Sequence, residues 1–236
     1  MKPLLRLVAL VALTFGVPLS AAETANTLSA AEKSAGWKLL FDGQTLNGWR
    51  GYKAEAIGAG WKAQNGALVL TAGQSGDLVT TEQFGNFELT FEWTISEGGN
   101  SGVIYRSGLG DSAPYRTGPE YQVLDNIKAA DNKLGNHLAG SLYDIGAEAP
   151  RDLVKPVGDW NTARMIVRGW QVEHWLNGRK VIAIDLASEE GKTALAKSKF
   201  KGAGWEKFAS LARGHIALQD HGNVVAFRSI KIRELK

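Results

Sequence analysis

The 236-residue chain has no cysteine. That removes a disulfide framework, a thiolate metal site, a cysteine nucleophile and a lipidated N-terminal Cys, so the fold rests on its core alone. Proline is scarce, at six residues, and no Pro/Ser-rich linker divides the interior, so the length reads as one large domain. Charge of one sign is also lacking: 27 basic residues face 24 acidic ones, and no basic tract argues for nucleic acid. The sequence contains no G-x-S-x-G, no H-E-x-x-H, no Gly/Lys phosphate loop and no EF-hand spacing. Serine hydrolase, zincin and nucleotide-dependent chemistries thereby lose their usual support.

The one extended apolar run lies at the start. Residues 1–22 carry Lys2 and Arg6, an apolar stretch through Val17, and then Ser20-Ala21-Ala22, the layout of a secretory signal peptide. The run is short for a membrane span, although an uncleaved N-terminal anchor is the alternative. Cleavage after Ala22 predicts a periplasmic or secreted protein with no membrane partner, and it lowers the net charge from +3 to +1.

Residues 23–36 are polar and small, a leader or short helix ahead of a domain over 37–236. From Trp37 onward, short β-branched or aromatic segments are parted by Gly, Asn and Asp, which is the texture of an all-β protein. In NFELTFEWTI, Phe87, Leu89, Phe91, Trp93 and Ile95 alternate strictly with Glu88, Thr90, Glu92 and Thr94. Asn177-Gly178 separates two strand-like runs, as a two-residue type I′ hairpin prefers. One helix is expected near 187–198, capped by Ser188. These elements predict a two-sheet antiparallel jelly-roll sandwich with one short helix.

Polar residues occur inside strands where Val or Thr would be unremarkable. Glu120 and Gln122 share one face of PEYQVLD; Arg106 closes GGNSGVIYR; His174 sits in VEHWLNG; and His215, Gln219 and His221 share a face of GHIALQDHG. Any one of these could be an exposed strand face, but several together suggest one polar surface. His174 reads either as a hydrogen-bonded structural histidine or as a general acid or base. Arg106 is a solvated edge residue or a fork for a sugar hydroxyl or carboxylate. Asp220-His221-Gly222 reads equally as a turn. Tyr143, in GSLYDI, could pack in the core or lie under a sugar ring. The eight tryptophans suit a carbohydrate surface, yet most tryptophans in a sandwich are core.

In GGNSGVIYR, GPEYQVLDN, GSLYDI, GDWNTARMIVRGWQVEHWLNG, SKF, GHIALQDHG and FRSIKIREL, in that order, the chain resembles the 3-keto-disaccharide hydrolase family from about Trp37 to Leu235. The resemblance implies a concanavalin-like jelly roll whose concave sheet acts on glycosides already oxidised at C3 of the sugar. Carried onto matching positions, it implies site residues Asn100, Arg106, Glu120, Gln122, Tyr143, His174, Gln219 and His221.

A C3 ketone acidifies the C2 hydrogen, so one base can form an enolate that expels the C1 substituent; water then adds to the enone, and the sum is hydrolysis. Direct glycosidic cleavage usually needs two carboxylates. Laminarinase-type sandwiches carry E-x-D-x-E on a strand, and here those places hold Glu120, Gln122 and Leu124. The expectation is therefore that Glu120 and His174 divide the base and acid roles, that Arg106 and Gln122 grip the oxidised ring, and that Asn100, Tyr143, Gln219 and His221 bind substrate. A divalent cation such as Ca²⁺ is left open, with no ligand spacing to place it. The chain shows no redox-cofactor signature, so a separate 3-dehydrogenase must supply the ketone. Two rival readings stand beside this one. The first is a non-catalytic carbohydrate-binding module on the same fold. The second is a retaining glucanase drawing its other carboxylate from Asp125, Asp144 or Asp220.

Overall fold

A computed structural model of the chain describes residues 24–71, 73–146 and 149–236; the expected signal peptide, 1–22, lies outside them. Its strands are β1 (Lys38–Leu39), β2 (Trp49–Gly51), β3 (Trp61–Gln64), β4 (Ala67–Leu70), β5 (Leu78–Thr80), β6 (Phe87–Ile95), β7 (Asn100–Ser107), β8 (Glu120–Leu124), β9 (Asn161–Arg168), β10 (Gln171–Leu176), β11 (Arg179–Asp185), β12 (His215–Leu218) and β13 (Val225–Glu234). All named pairings are antiparallel. They build an eight-stranded sheet in the order β11-β10-β9-β6-β13-β4-β3, with β1 added on β13, and a five-stranded sheet in the order β2-β5-β12-β7-β8. This is the jelly-roll sandwich predicted from the sequence.

Alternation decides what each strand buries. The odd-numbered residues of β6, Phe87 through Ile95, enter the space between the sheets. From the smaller sheet, Val103 and Tyr105 on β7, Tyr121 and Val123 on β8, and Ile216 and Leu218 on β12 meet them. Phe91 lies edge-on to Tyr121 at 5.4 Å between centroids, and Phe87 edge-on to Tyr105 at 6.1 Å. Each large apolar side chain sealed in this way contributes about 1.5–3 kcal/mol over leaving it in water.

The turn at Asn177-Gly178 has positive φ at both residues (48° and 81°), as a type I′ connection requires. A helix, α2 (Glu189–Lys197), starts where Ser188 accepts the Gly191 N–H. The leader holds a second helix, α1 (Ala30–Ser34), the short-helix alternative read for this segment. It is closed by a capping box between Ser29 and Glu32. This segment is tied to the large sheet: Asn26 donates to the Gly66 carbonyl at 2.7 Å and accepts from the Ser229 N–H at 2.8 Å, and Glu32 pairs with Lys231 at 2.6 Å.

Candidate active site

The outer face of the five-stranded sheet carries the unusual residues. Ala217 of β12, Ile104 of β7 and Glu120 of β8 lie in register across it. One step along, the Gln219 N–H donates to the Gly102 carbonyl, and Gly102 pairs with Gln122. A Cβ on Gly102 would stand 1.9 Å from Glu120 Oε1. The missing side chain thus makes the hollow in which the Glu120 carboxyl lies, a close approach only glycine allows.

Above this hollow is a cleft of about 360 Å³, lined by Asn100, Tyr115, Arg116, Glu120, Gln122, Tyr143, Lys199, Phe200, Trp205, Gln219 and His221. The segment 140–143 runs beside β8, with the Gly140 N–H donating to the Gln122 carbonyl at 2.8 Å and the Tyr143 N–H to the Glu120 carbonyl at 3.1 Å. That pairing sets Tyr143 next to Glu120. The Lys199 ammonium sits 4.2 Å from the Tyr143 ring centroid. Trp205 completes an aromatic wall, edge-on to Phe200 at 5.0 Å, with the Arg116 guanidinium 4.4 Å from its centroid. Such a wall of aromatic and polar groups suits the faces and hydroxyls of a sugar.

The electrostatics single out Glu120. It is only 6% exposed, and among the described residues no hydrogen bond or ion pair reaches its carboxylate. Burial pushes its pKa up to about 8; Lys199 pulls against this, while Asp77 and Asp131 add to it. Asp77 is itself raised to about 6 by burial. Beside Glu120, Gln122 donates to the Asn100 side-chain oxygen at 3.4 Å, while its own buried Oε1 has no partner among the described residues. An orphan acceptor on a cleft wall is matched by a ligand hydroxyl.

Six of the eight expected residues, Asn100, Glu120, Gln122, Tyr143, Gln219 and His221, line this cleft; two do not. His174 is fully buried between the sheets. Its Nδ1 faces the Ser141 carbonyl at 3.2 Å and its Nε2 the Tyr105 hydroxyl at 3.3 Å. Burial lowers its pKa to about 4, so it is a neutral core imidazole. The acid–base partnership expected for Glu120 and His174 therefore has no geometric basis. A signal was available: His174 shares strand parity with Val172 and Leu176, both apolar.

Arg106 should have followed Asn100, Gly102 and Ile104 onto the cleft face. Instead the β7–β12 register shifts opposite His215 and Ala217, and Arg106 takes φ = 52°. This bulge reverses the alternation and sends the guanidinium to the Gly85 and Gly169 carbonyls, at 3.0 and 2.6 Å, and over Trp170. Arg106 therefore ties the two sheets together and does not grip substrate from the cleft.

The suggested second carboxylates are engaged elsewhere. Asp125 accepts from the Gly98, Ile127 and Lys128 N–H groups in a turn, Asp144 contacts His137, and Asp220 accepts from Ser75 N–H. The residues the expectation missed are Tyr115, Arg116, Lys199, Phe200 and Trp205. Tyr115 and Arg116 sit in a single 3-10 turn (Pro114–Arg116) and the others in a loop, where no strand periodicity marks a face; only SKF, with Lys199 and Phe200, stands out as a motif. No group of three or more His, Asp or Glu among the described residues is arranged to hold a metal ion.

A jelly roll with one isolated carboxyl in a polar, aromatic-walled cleft belongs to the class of sandwich proteins whose sheet face handles carbohydrate. Comparison makes the assignment specific: residues 36–233 match the family model of the 3-keto-alpha-glucoside-1,2-lyase-like domain, and the chain belongs to that family. It is 35% identical to a 3-keto-disaccharide hydrolase of Bacteroides thetaiotaomicron, over 95% of this chain and 87% of that protein. Among solved structures it is similar to two from Parabacteroides distasonis that are provisionally described as glycosyl hydrolases. One has a TM-score of 0.81 at 31% identity, covering 90% of this chain and all of the other; the second has 0.67 at 25%, covering 84% and 99%. These likenesses support a glycoside-cleaving function.

Proposed function

We propose that the protein is an exported enzyme that cleaves 3-keto-glycosides, including 3-keto-disaccharides, by elimination and rehydration around Glu120. The observation that carries this reading is the solitary carboxyl. Glu120 is the one carboxylate among the described cleft-lining residues, whereas direct displacement at an anomeric carbon calls for two. Elimination needs only one, because the proton that leaves C2 returns to C2. Ionised Glu120 takes the C2 proton; the resulting enolate oxygen is stabilised by the Lys199 ammonium. The electron pair then forms C1=C2 and expels the C1 oxygen, which is protonated from the rim, where His221 stands. Water adds to C1, giving its proton to the rim group that protonated the leaving oxygen, and Glu120 returns its own proton to C2, so every group ends as it began. A pKa of about 8 makes the ionised Glu120 a stronger base than an ordinary carboxylate, as abstraction of a carbon-bound proton requires. Gln122, Asn100 and Gln219 would hold ring hydroxyls, and the Trp205 wall the apolar ring face. The ketone comes from a separate 3-dehydrogenase.

The decisive assay sets a nitrophenyl 3-keto-glucoside beside the unoxidised glucoside. Glu120→Gln should lower kcat by about 10²–10⁴-fold on the keto substrate, the usual worth of a positioned base. Turnover at the wild-type rate in that variant, or cleavage confined to the unoxidised glucoside, would refute the assignment. Because the base must be ionised, kcat/KM should rise with pH through about 8.

A further inference from the structure

Behind the cleft wall lies a cluster that the proposed chemistry does not use. His137 stands between two carboxylates, with Nδ1 2.8 Å from Asp131 Oδ1 and Nε2 2.9 Å from Asp144 Oδ1. Each carboxylate has a second engagement that leads to the cleft. Asp131 Oδ2 accepts the Tyr143 hydroxyl at 2.7 Å, and Asp144 Oδ2 accepts the Lys199 backbone N–H at 2.6 Å. The His137 ring also lies against the Tyr143 ring, 4.4 Å between centroids and 32° from parallel, and Lys199 covers that ring from its ammonium end. Asp144 holds φ = 59°, a left-handed conformation that Asp tolerates better than most residues.

We propose that Asp131, His137 and Asp144 form a clamp in which a doubly protonated imidazolium bridges two carboxylates and thereby positions Tyr143 and Lys199 against Glu120. The charge state follows from the contacts. A carboxylate only accepts, so two nitrogens that each face one at hydrogen-bond distance both need a proton. A neutral ring would satisfy one contact and leave the other repulsive. Paired in this way, the ring fixes both carboxylates, and they in turn fix the phenol and the lysine backbone from below. His137 does not line the cleft, acts on it only through Tyr143 and Lys199, and is a positioning residue. The clamp rests on the reading of Glu120 and Lys199 given above, but its charge state and its grip can be observed without turnover.

Two measurements on the full chain decide it. In ¹⁵N-resolved NMR at neutral pH, His137 should show two ring N–H resonances, and Asp144→Asn should abolish the ion pair at Nε2 while Asn remains acceptable at positive φ. A single ring N–H would overturn the clamp. In His137→Phe, which keeps a flat ring against Tyr143, Lys199 is released and ceases to hold the Glu120 carboxyl down. Its titration midpoint, followed by ¹³C, should rise by about half a unit or more. With the 3-keto-glucoside, kcat should fall about 30-fold while KM moves less than about threefold, the loss expected when charge stabilisation in the transition state is misplaced. An unmoved Glu120 midpoint in a folded His137→Phe protein overturns the positioning role. Absence of turnover in the wild type overturns the proposed reaction and leaves the NMR result to judge the clamp.

Discussion

Two glutamates, Glu88 and Glu120, project from strands onto the outer faces of opposite sheets, and both are nearly sealed, at 5% and 6% exposure. Glu88, on β6, is held by Arg164 at 2.6 Å and by Arg233 at 2.8 Å, guanidiniums that lie over Trp175 and Trp37 in turn. Glu120, on β8, has no such fork; a glycine makes room for it and a lysine stands nearby. Burial is almost equal, so the partner decides the role. A carboxylate held by two guanidiniums is fixed in place as part of the scaffold. One left to itself is costly to ionise and hence available to move a proton.

The sharpest way to break this contrast is at the glycine. Gly102→Ala places a methyl where Glu120 Oε1 now sits, so the carboxyl must turn away. Turnover of the keto-glucoside should fall about 10²-fold, with an overpacking cost of about 1–3 kcal/mol in urea unfolding. Full activity in that variant would mean that the carboxyl works from another position.

His174→Gln is next and should dissociate stability from chemistry. It removes the bonds to Tyr105 and Ser141 and leaves part of the inter-sheet space unfilled, at about 2–3 kcal/mol, while kcat at 25 °C should stay within about threefold. The pH dependence has a definite sign. With a folded pKa of about 4 against an ordinary value near 6.5, the unfolded chain binds the additional proton, so wild-type stability declines as pH falls from 6.5 to 4. The variant should lose that part of the slope.

The smallest effect is expected at Glu88. Glu88→Gln should cost about 1–2 kcal/mol, because both arginines are partly exposed and water screens much of what they lose. The rate should not change. A matching loss of turnover would show that the two faces are coupled and that the comparison is too simple.

What was legible in the sequence follows from covalent geometry acting over a few residues. Side chains alternate along a strand, so Glu120 and Gln122 had to share a face opposite Tyr121 and Val123, and they do. Asn177-Gly178 and Ser188 act within one turn, and both the hairpin and the helix start appear where they were read. Parity also implied the inward aim of His174, through Val172 and Leu176. Arg106 lies beyond such reasoning, because one bulge in pairing with a strand more than a hundred residues away reversed its side.

The sequence by itself determined an all-β chain, the parity of its strands, and a carboxyl and amide side by side without a second acid on that strand. Tertiary structure decided everything that depends on distance through space. It brought Lys199, Phe200 and Trp205 from a late loop over β8, put His174 in the core, and raised the Glu120 pKa to about 8 by burying it. Alternation is enforced by bonds between neighbours, whereas the surroundings of a charge are set by whichever remote segments pack against it, and no local pattern records them.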